Sequence, residues 1–392
     1  MCYLAAMKIL WGSPLPPTRS GVSDYAVELL GELGKRATVR VLAPPDGIHP
    51  DIWTFGTGVK IVKTDTTPEV DEVSLIHLGN NSHHTWLLDR LKGQRTVAVL
   101  HDLVLHHLLV EAANGDGVFL ETGLHEAHGQ PGAALARARK FGLAGSIDPF
   151  LFPARAAFIG SVCGVIVHSR WAERVIEGEF PNLPKARVGL AVADPGNVVR
   201  AAERGRLGIA PDEVVLMHLG FLTPEKGLEK ILTGVAAAKR LGVPVRLLLA
   251  GEGRGVEDVR RAAAAAGIEG SVRATGWIEP EAFPAIPAAA DVGVVLRTPS
   301  AGETSAAAVR FMAAGTPVAV SGLRQFLEWP ERAAPRITPG ASAPAELARL
   351  LADAQAGGKA WELRRSAART VYEANHRPAD VAQSIVDFLE NL

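Results

Sequence analysis

The sequence predicts an α/β protein of two domains, each a mostly parallel sheet with helices on both faces. Three observations carry that prediction. Short apolar runs alternate with helical patterns along the chain. Polar or glycine-containing loops follow the runs, as at Gly79-Asn80-Asn81, where ligands of such sheets lie. The rhythm restarts after a proline-rich stretch from Phe180 to Gly196, and 392 residues are more than one core ordinarily serves.

Met7-Lys-Ile-Leu-Trp is the first strand. Pro14, Pro16, Pro17 and Gly21 then hold a loop, and Ser23-Asp24 is expected to open a helix carrying Tyr25, Val27, Leu29 and Leu30. Further strands are expected at Val39–Leu42, Lys60–Val62, Ser74–Leu78 and Thr96–Leu100, and at Gly164-Val-Ile-Val. Their ends carry Asn80 and Asn81, His101 and Asp102, and His168-Ser169-Arg170. A neutral imidazole such as His101 can hydrogen-bond a hydroxyl without a full desolvation cost. The plainer reading makes Asp102 a helix cap with His101 beside it. His106 and His107, one turn on, read as surface or wall residues. No carboxylate or thiolate sits at a ligand spacing from these histidines, so no metal is expected. Between Glu111 and Pro153 the pattern loosens, apart from a helical stretch at Leu135–Leu143. Irregular segments of this kind suit ligand recognition.

The second domain is expected from near Arg206. Val214–Leu219 is a strand, followed by the loop and helix of Gly220-Phe-Leu-Thr-Pro-Glu-Lys226-Gly. Val245–Ala250, Val272–Gly276 and Asp291–Leu296 continue the sheet, with Trp277 and Ile278 after the second of these. Arg297 and Ser300 open the stretch around which the chain is organised, Pro299 to Gly322. There Gly302, Glu303, Thr304 and Ser305 precede a helix at Ala306–Ala314, Gly315 stops it, and Pro317-Val-Ala-Val is a buried strand. Free amides and the helix dipole favour an anion at such a start. An ordinary capped helix is the alternative for the loop, as a solvated lysine is for Lys226 and a simple turn for Gly21. Helices at Ala343–Gln355, Ala360–Tyr372 and Ala379–Leu389 complete the chain.

Phe311-Met-Ala-Ala-Gly-Thr-Pro-Val resembles the end of the donor-site signature of retaining family-4 glycosyltransferases of the GT-B fold, the bacterial glycosyl transferase group 1 type. Lys226 matches the lysine of that family's glycine-lysine donor motif. The resemblance implies two Rossmann-like domains facing across a cleft, an acceptor domain at 1–190 and a donor domain at 191–375, with a C-terminal helix at 376–392 crossing back to the first. It implies transfer of a sugar from a nucleotide-diphosphate donor to an acceptor hydroxyl, with retention of configuration and no essential metal. His101, Lys226 and Glu303 take the catalytic roles. Gly21, Gly220, Lys226, Gly302, Thr304 and Ser305 face the donor diphosphate. Trp277, Ile278 and Arg310 are the nucleotide neighbours, and Asn80, Asn81 and Asp102 the acceptor neighbours. Two positions depart from the pattern: Arg310 stands where a ribose-holding Glu is usual, and Phe221 where an arginine is usual. They keep open two other readings, a non-catalytic nucleotide-sugar-binding protein and a nucleotide-sugar epimerase of similar architecture.

Composition narrows the rest. Hydrophobic content of 47% with 21% charge is that of a water-soluble globular chain, and a formal net charge of −1 gives no field that draws it to nucleic acid or anionic lipid. Two cysteines, Cys2 and Cys163, make no disulfide framework and fit a reducing compartment. The opening Met1-Cys-Tyr-Leu-Ala-Ala lacks a basic region and a long apolar core, so it does not read as a signal peptide. No apolar run approaches the ~20 residues of a membrane span, and a cytoplasmic protein is expected. No cofactor is expected beyond the nucleotide sugar as co-substrate. The acceptor is a sugar, a lipid or a small molecule, and a homodimer is an assembly the sequence leaves open. The competing motifs of hydrolases, P-loop proteins and zinc sites are absent.

Overall fold

The computed structural model describes residues 7–45, 47, 56, 58–93, 95–253, 255–279 and 282–392. Cys2 and the opening segment lie outside the described residues. The chain divides into two compact units. The first takes the residues up to Ala191 together with Ala301–Thr304 and Pro378–Leu392; the second takes Val192–Ser300 and Ser305–Arg377.

The first unit is built on seven strands: β1 (Lys8–Gly12), β2 (Thr38–Leu42), β3 (Val59–Val62), β4 (Glu72–Leu78), β5 (Thr96–Leu100), β6 (Gly164–Val167) and β7 (Lys185–Arg187). Their order is β3-β2-β1-β4-β5-β6-β7, and every ladder is parallel. Every residue of β4 and β5 is buried, as befits strands covered on both faces. The strand order reverses between β1 and β4, which makes their carboxyl ends the expected ligand site.

Among the described residues, six helices follow these strands: α1 (Gly21–Leu33), α2 (His106–Ala113), α3 (Gly117–Lys140), α4 (Asp148–Leu151), α5 (Ala156–Ile159) and α6 (Arg170–Glu179). The first opens earlier than its Ser-Asp pair suggests, because Ser20 is the cap and its Oγ accepts from the Ser23 amide at 3.1 Å. The stretch from 117 to 140 is helical, so the helix begins well before the expected Leu135–Leu143, in a segment expected to be looser. Its period is interrupted by a sharp break at Gly129 (φ 64°, ψ −148°), with Pro131 in the next turn. The two arms fold back closely enough that a Cβ on Gly132 would lie 2.0 Å from the Leu124 carbonyl oxygen.

The second unit holds α7 (Arg200–Arg206), β8 (Val214–Leu219), α8 (Leu228–Arg240), β9 (Val245–Ala250), α9 (Val256–Ala265), β10 (Val272–Gly276), β11 (Val292–Val295), α10 (Ala306–Ala313), β12 (Val318–Ser321), β13 (Arg336–Ile337), α11 (Ala343–Ala356) and α12 (Gly358–Asn375). Its parallel sheet runs β10-β9-β8-β11-β12-β13 and reverses between β8 and β11. Buried apolar clusters line both faces, one around Ile231, Leu247 and Leu347, the other around Met217, Phe311 and Tyr372. The unit begins before Arg206, with α7. That helix has no apolar stripe because it is held by charge: Arg200 and Arg204 both pair with Asp291, at 2.6 and 3.2 Å. Likewise β7 lies inside the proline-rich stretch and shows no apolar run, because it is an edge strand. The final helix, α13 (Pro378–Glu390), belongs to the first unit and packs beside α1.

Candidate active site

In the first unit the residues after β4 and β5 gather around a group of histidines. His101 follows β5, and its Nε2 lies 3.0 Å from Nδ1 of His77, a fully buried residue of β4. The His77 ring packs on Trp11, with centroids 4.0 Å apart, and Tyr25 and His168 complete the enclosure of His101 at 5.0 Å each. His168 and His84 each place Nδ1 against a main-chain carbonyl, Val188 at 3.0 Å and His77 at 2.9 Å. Carbonyl oxygens only accept, so both rings carry their proton on Nδ1. Burial holds all four imidazoles in the neutral form: His77 and His101 well below the usual value, His84 and His168 at about 4. His101 therefore offers hydrogen bonding without charge.

Asn80, Asn81 and Asp102 shape the loops beside it. The Asn80 Oδ1 accepts from the amides of His107 and Leu108 at 2.8 and 3.3 Å, tying down the start of α2. The Asp102 carboxylate accepts from the Asn80 amide at 2.8 Å, and Asn81 accepts from the His83 amide at 3.0 Å as the cap of a short helical turn. Their side-chain oxygens thus hold the loop. His106, expected at the surface or in a wall, is fully buried and bonded to the Phe152 carbonyl at 2.8 Å. Gly21 sits in the first turn of α1, where an added Cβ would meet nothing within 4 Å. A polar pocket of about 310 Å³ opens between the β1, β2 and β4 ends, walled by Pro14, Pro45, His83 and Trp86.

The segment Ala301–Thr304 is fastened next to this group. The Ala301 carbonyl accepts from both Leu103 and Val104, at 2.8 and 3.0 Å. Gly302 has φ +80°, and a Cβ there would come within 2.9 Å of the Leu103 Cβ, so glycine is required twice over. Glu303 and Thr304 follow at once, and their loop is therefore anchored two residues beyond His101.

In the second unit the switch point lies between the ends of β8 and β11. Gly220 follows β8 with φ +101°, and Lys226 stands close enough that a Cβ on Gly220 would be 3.6 Å from its Nζ. That Nζ donates to the Phe221 carbonyl at 2.6 Å. Gly251, with φ +149°, lets the β9 loop pass against β8: a Cβ there would lie 2.3 Å from the Gly220 oxygen. Beneath Lys226 sits His218, 2% exposed and held down to about 3, first by burial and then by the charges of Lys226 and Arg297. Ser305 caps α10, its Oγ accepting from the Ala308 amide at 3.3 Å. Trp277 is 40% exposed after β10, beside a groove of about 600 Å³ lined by Phe221, Glu252, Arg260 and Thr275. Ile278 is half-buried and packs against the core cluster around Met217 and Phe311. Arg310 is 5% exposed, with its guanidinium 4.9 Å from the Phe283 ring centre. Of the expected nucleotide neighbours, Trp277 is exposed, Ile278 is half-buried and Arg310 is buried beside Phe283.

His77 and His218 are additions to the expected set. The signal for both was present: each sheet's switch-point strand ends in His-Leu-Gly, at His77–Gly79 and at His218–Gly220. Among the described residues no group of three or more His, Cys, Asp and Glu side chains is placed to hold a metal. No described helix is long and apolar enough to cross a membrane.

The paired parallel sheets are those of the GT-B fold. The chain is similar to the Anabaena protein Alr3699/HepE, solved with UDP and glucose, at a TM-score of 0.66 and 16% identity, covering 98% of this chain and 100% of that one. It is also similar to WaaG, a glycosyltransferase involved in lipopolysaccharide biosynthesis, at 0.64 and 12%, covering 97% and 99%. Residues 199–333 match the family of glycosyl transferases group 1. A 2-deoxystreptamine glucosyltransferase of Streptomyces kanamyceticus is 32% identical over 164 residues, 41% of this chain and 41% of that protein.

Proposed function

We propose that this protein is a glycosyltransferase that moves a sugar from a nucleotide-diphosphate donor to an acceptor hydroxyl, with retention of configuration and without an essential metal. The observation that carries the reading is the fastening of Gly302–Thr304 beside His101, which brings the loop before α10 to a neutral imidazole within one unit. His101 and Glu303 orient the sugar hydroxyls. Lys226, with the amides of Thr304 and Ser305 at the start of α10, stabilises the departing diphosphate, whose charge grows as the bond to the sugar breaks. The acceptor oxygen adds to the face from which the diphosphate leaves, and its proton passes to that diphosphate. No protein nucleophile is required, and the rate comes from positioning and electrostatics. Trp277 lies near the base. Gly21 and Gly220 leave room for the phosphates.

The pocket walled by Pro14, Pro45, His83 and Trp86 supports an acceptor with an uncharged ring, a sugar or small molecule, since among its described lining residues none is a carboxylate, lysine or arginine. A cytoplasmic bacterial enzyme fits the composition. Incubating the protein with UDP-, ADP-, GDP- and dTDP-sugars, with and without chelator, and following the anomeric signals by NMR tests the reading. A product of retained configuration formed in chelator agrees with it. Inverted product or chelator-sensitive turnover contradicts the mechanism. Binding without turnover on any acceptor would favour the sensor that the changes at Phe221 and Arg310 suggest, and donor isomerisation without acceptor the epimerase.

A further inference from the structure

A diphosphate brings more than one negative charge, and Lys226 meets it with one positive charge. We infer that Arg297 is a second phosphate-binding residue of this site, so that the second unit takes the diphosphate through a lysine–arginine pair. This deepens the donor reading and rests on it. Arg297 follows β11, the strand hydrogen-bonded to β8 across the switch point, and Lys226 follows β8. The two loops are tied together next to the cations: the Thr298 amide donates to the Glu225 carbonyl at 3.0 Å. Gly227 permits the approach, since a Cβ there would lie 3.0 Å from the Cβ of Leu296 and its φ is +65°.

The Arg297 backbone is itself clamped. Ser321 Oγ, from β12, accepts from the Arg297 amide at 2.8 Å and donates to its carbonyl at 3.0 Å. The main chain that carries this arginine is thereby held at the end of the strand. His218, buried and also within reach of the charges of both cations, stays neutral, so the ring beneath them adds no third positive charge. A guanidinium presents two parallel donors that match two oxygens of a phosphate, which an ammonium cannot do. Phe221, where the resemblance places an arginine, supplies no charge, and Arg310 is turned onto Phe283. Arg297 is the basic residue that the sheet's own topology delivers to the phosphate position.

Calorimetric titration of the intact protein with UDP, UMP and uridine, and with the matching ADP, GDP and dTDP series, tests this on the parent, Arg297→Ala and Arg297→Lys. Arg297→Ala should weaken diphosphate binding by about 10- to 100-fold while leaving the nucleoside unchanged, and Arg297→Lys should restore part of the loss. Diphosphate binding within about twofold of the parent in Arg297→Ala would overturn the inference. So would equal weakening of nucleoside and diphosphate in a variant whose circular dichroism is that of the parent, since that pattern marks packing rather than phosphate contact. A parent that binds no nucleoside diphosphate would overturn the donor reading itself, and a parent that binds one while the Arg297 variants bind it equally would overturn this inference alone.

Discussion

At the scale of single residues, the site's character comes from groups held in an unusual charge state or position. Lys226 is the direct test of electrostatic stabilisation. Lys226→Ala should lower kcat by about 10²–10³-fold, the loss typical of one stabilising contact to a charge that develops in the transition state. Steady-state kinetics would read it, and a change confined to the acceptor KM would contradict the role. The buried histidines give a pH prediction with a definite sign. His84 and His168 titrate near 4 and His218 near 3 in the folded protein, against an ordinary value of 6.5, with burial the main cause in each. The unfolded chain binds protons that the folded chain excludes, so stability is fully present above about pH 6.5 and falls as the pH drops toward 4. Each such group adds up to about 1.4 kcal/mol per pH unit to that slope. Urea midpoints measured from pH 7 to 4.5 should fall steadily, and a flat profile would contradict the neutral burial. The sequence displayed His101 and Lys226 because each follows an apolar run. It hid His77 and His218, which lie inside such runs and look like interruptions of a strand until their shared His-Leu-Gly ending is noticed.

At the scale of elements, the loops at the carboxyl ends of the strands are shaped by glycine and by capping side chains. Gly251 passes the β8 loop at a distance no side chain allows. Gly251→Ala should destabilise the protein by about 1–3 kcal/mol through strained backbone alone, before the steric clash is counted, and thermal unfolding would show it. Gly302→Ala acts differently. Beyond a comparable backbone strain, it pushes Ala301–Thr304 away from Leu103, so kcat/KM should fall in protein that is still folded at the assay temperature, and an unchanged kcat/KM would show that the fastening is incidental. Most elements could be read from periodicity because the strands are buried runs and α8, α10 and α11 carry apolar stripes. Of those that could not, three have plain physical reasons. The α7 helix is anchored by arginine–aspartate pairs, β7 is a polar edge strand, and α3 breaks its own period at Gly129. Asn80, Asn81 and Asp102 show the converse limit. Their side chains at a strand end read equally well as ligand-binding or as loop-holding, and the structure shows them bonded to the main chain.

At the scale of the whole molecule, two parallel sheets of the same winding follow from a sequence that repeats strand, polar loop and helix on either side of a proline-rich stretch. That much of the architecture was legible because a buried parallel sheet requires continuous apolar runs and returns by helices. The assignment of Ala301–Thr304 to the first unit was not legible, since it depends on two amide hydrogen bonds and one glycine rather than on any period. On the proposed function, the second unit holds a nucleotide-diphosphate sugar through Lys226. A thermal-shift panel of nucleoside diphosphates and their sugar conjugates, run on the parent and on Lys226→Ala, tests it most directly. Mass action raises stability by about 2.7 kcal/mol at a hundredfold excess over the dissociation constant. A base-selective rise in melting temperature is expected for the parent and should be lost in Lys226→Ala. A well-folded parent that shifts with no member of the panel, or a shift that survives the substitution undiminished, would contradict it.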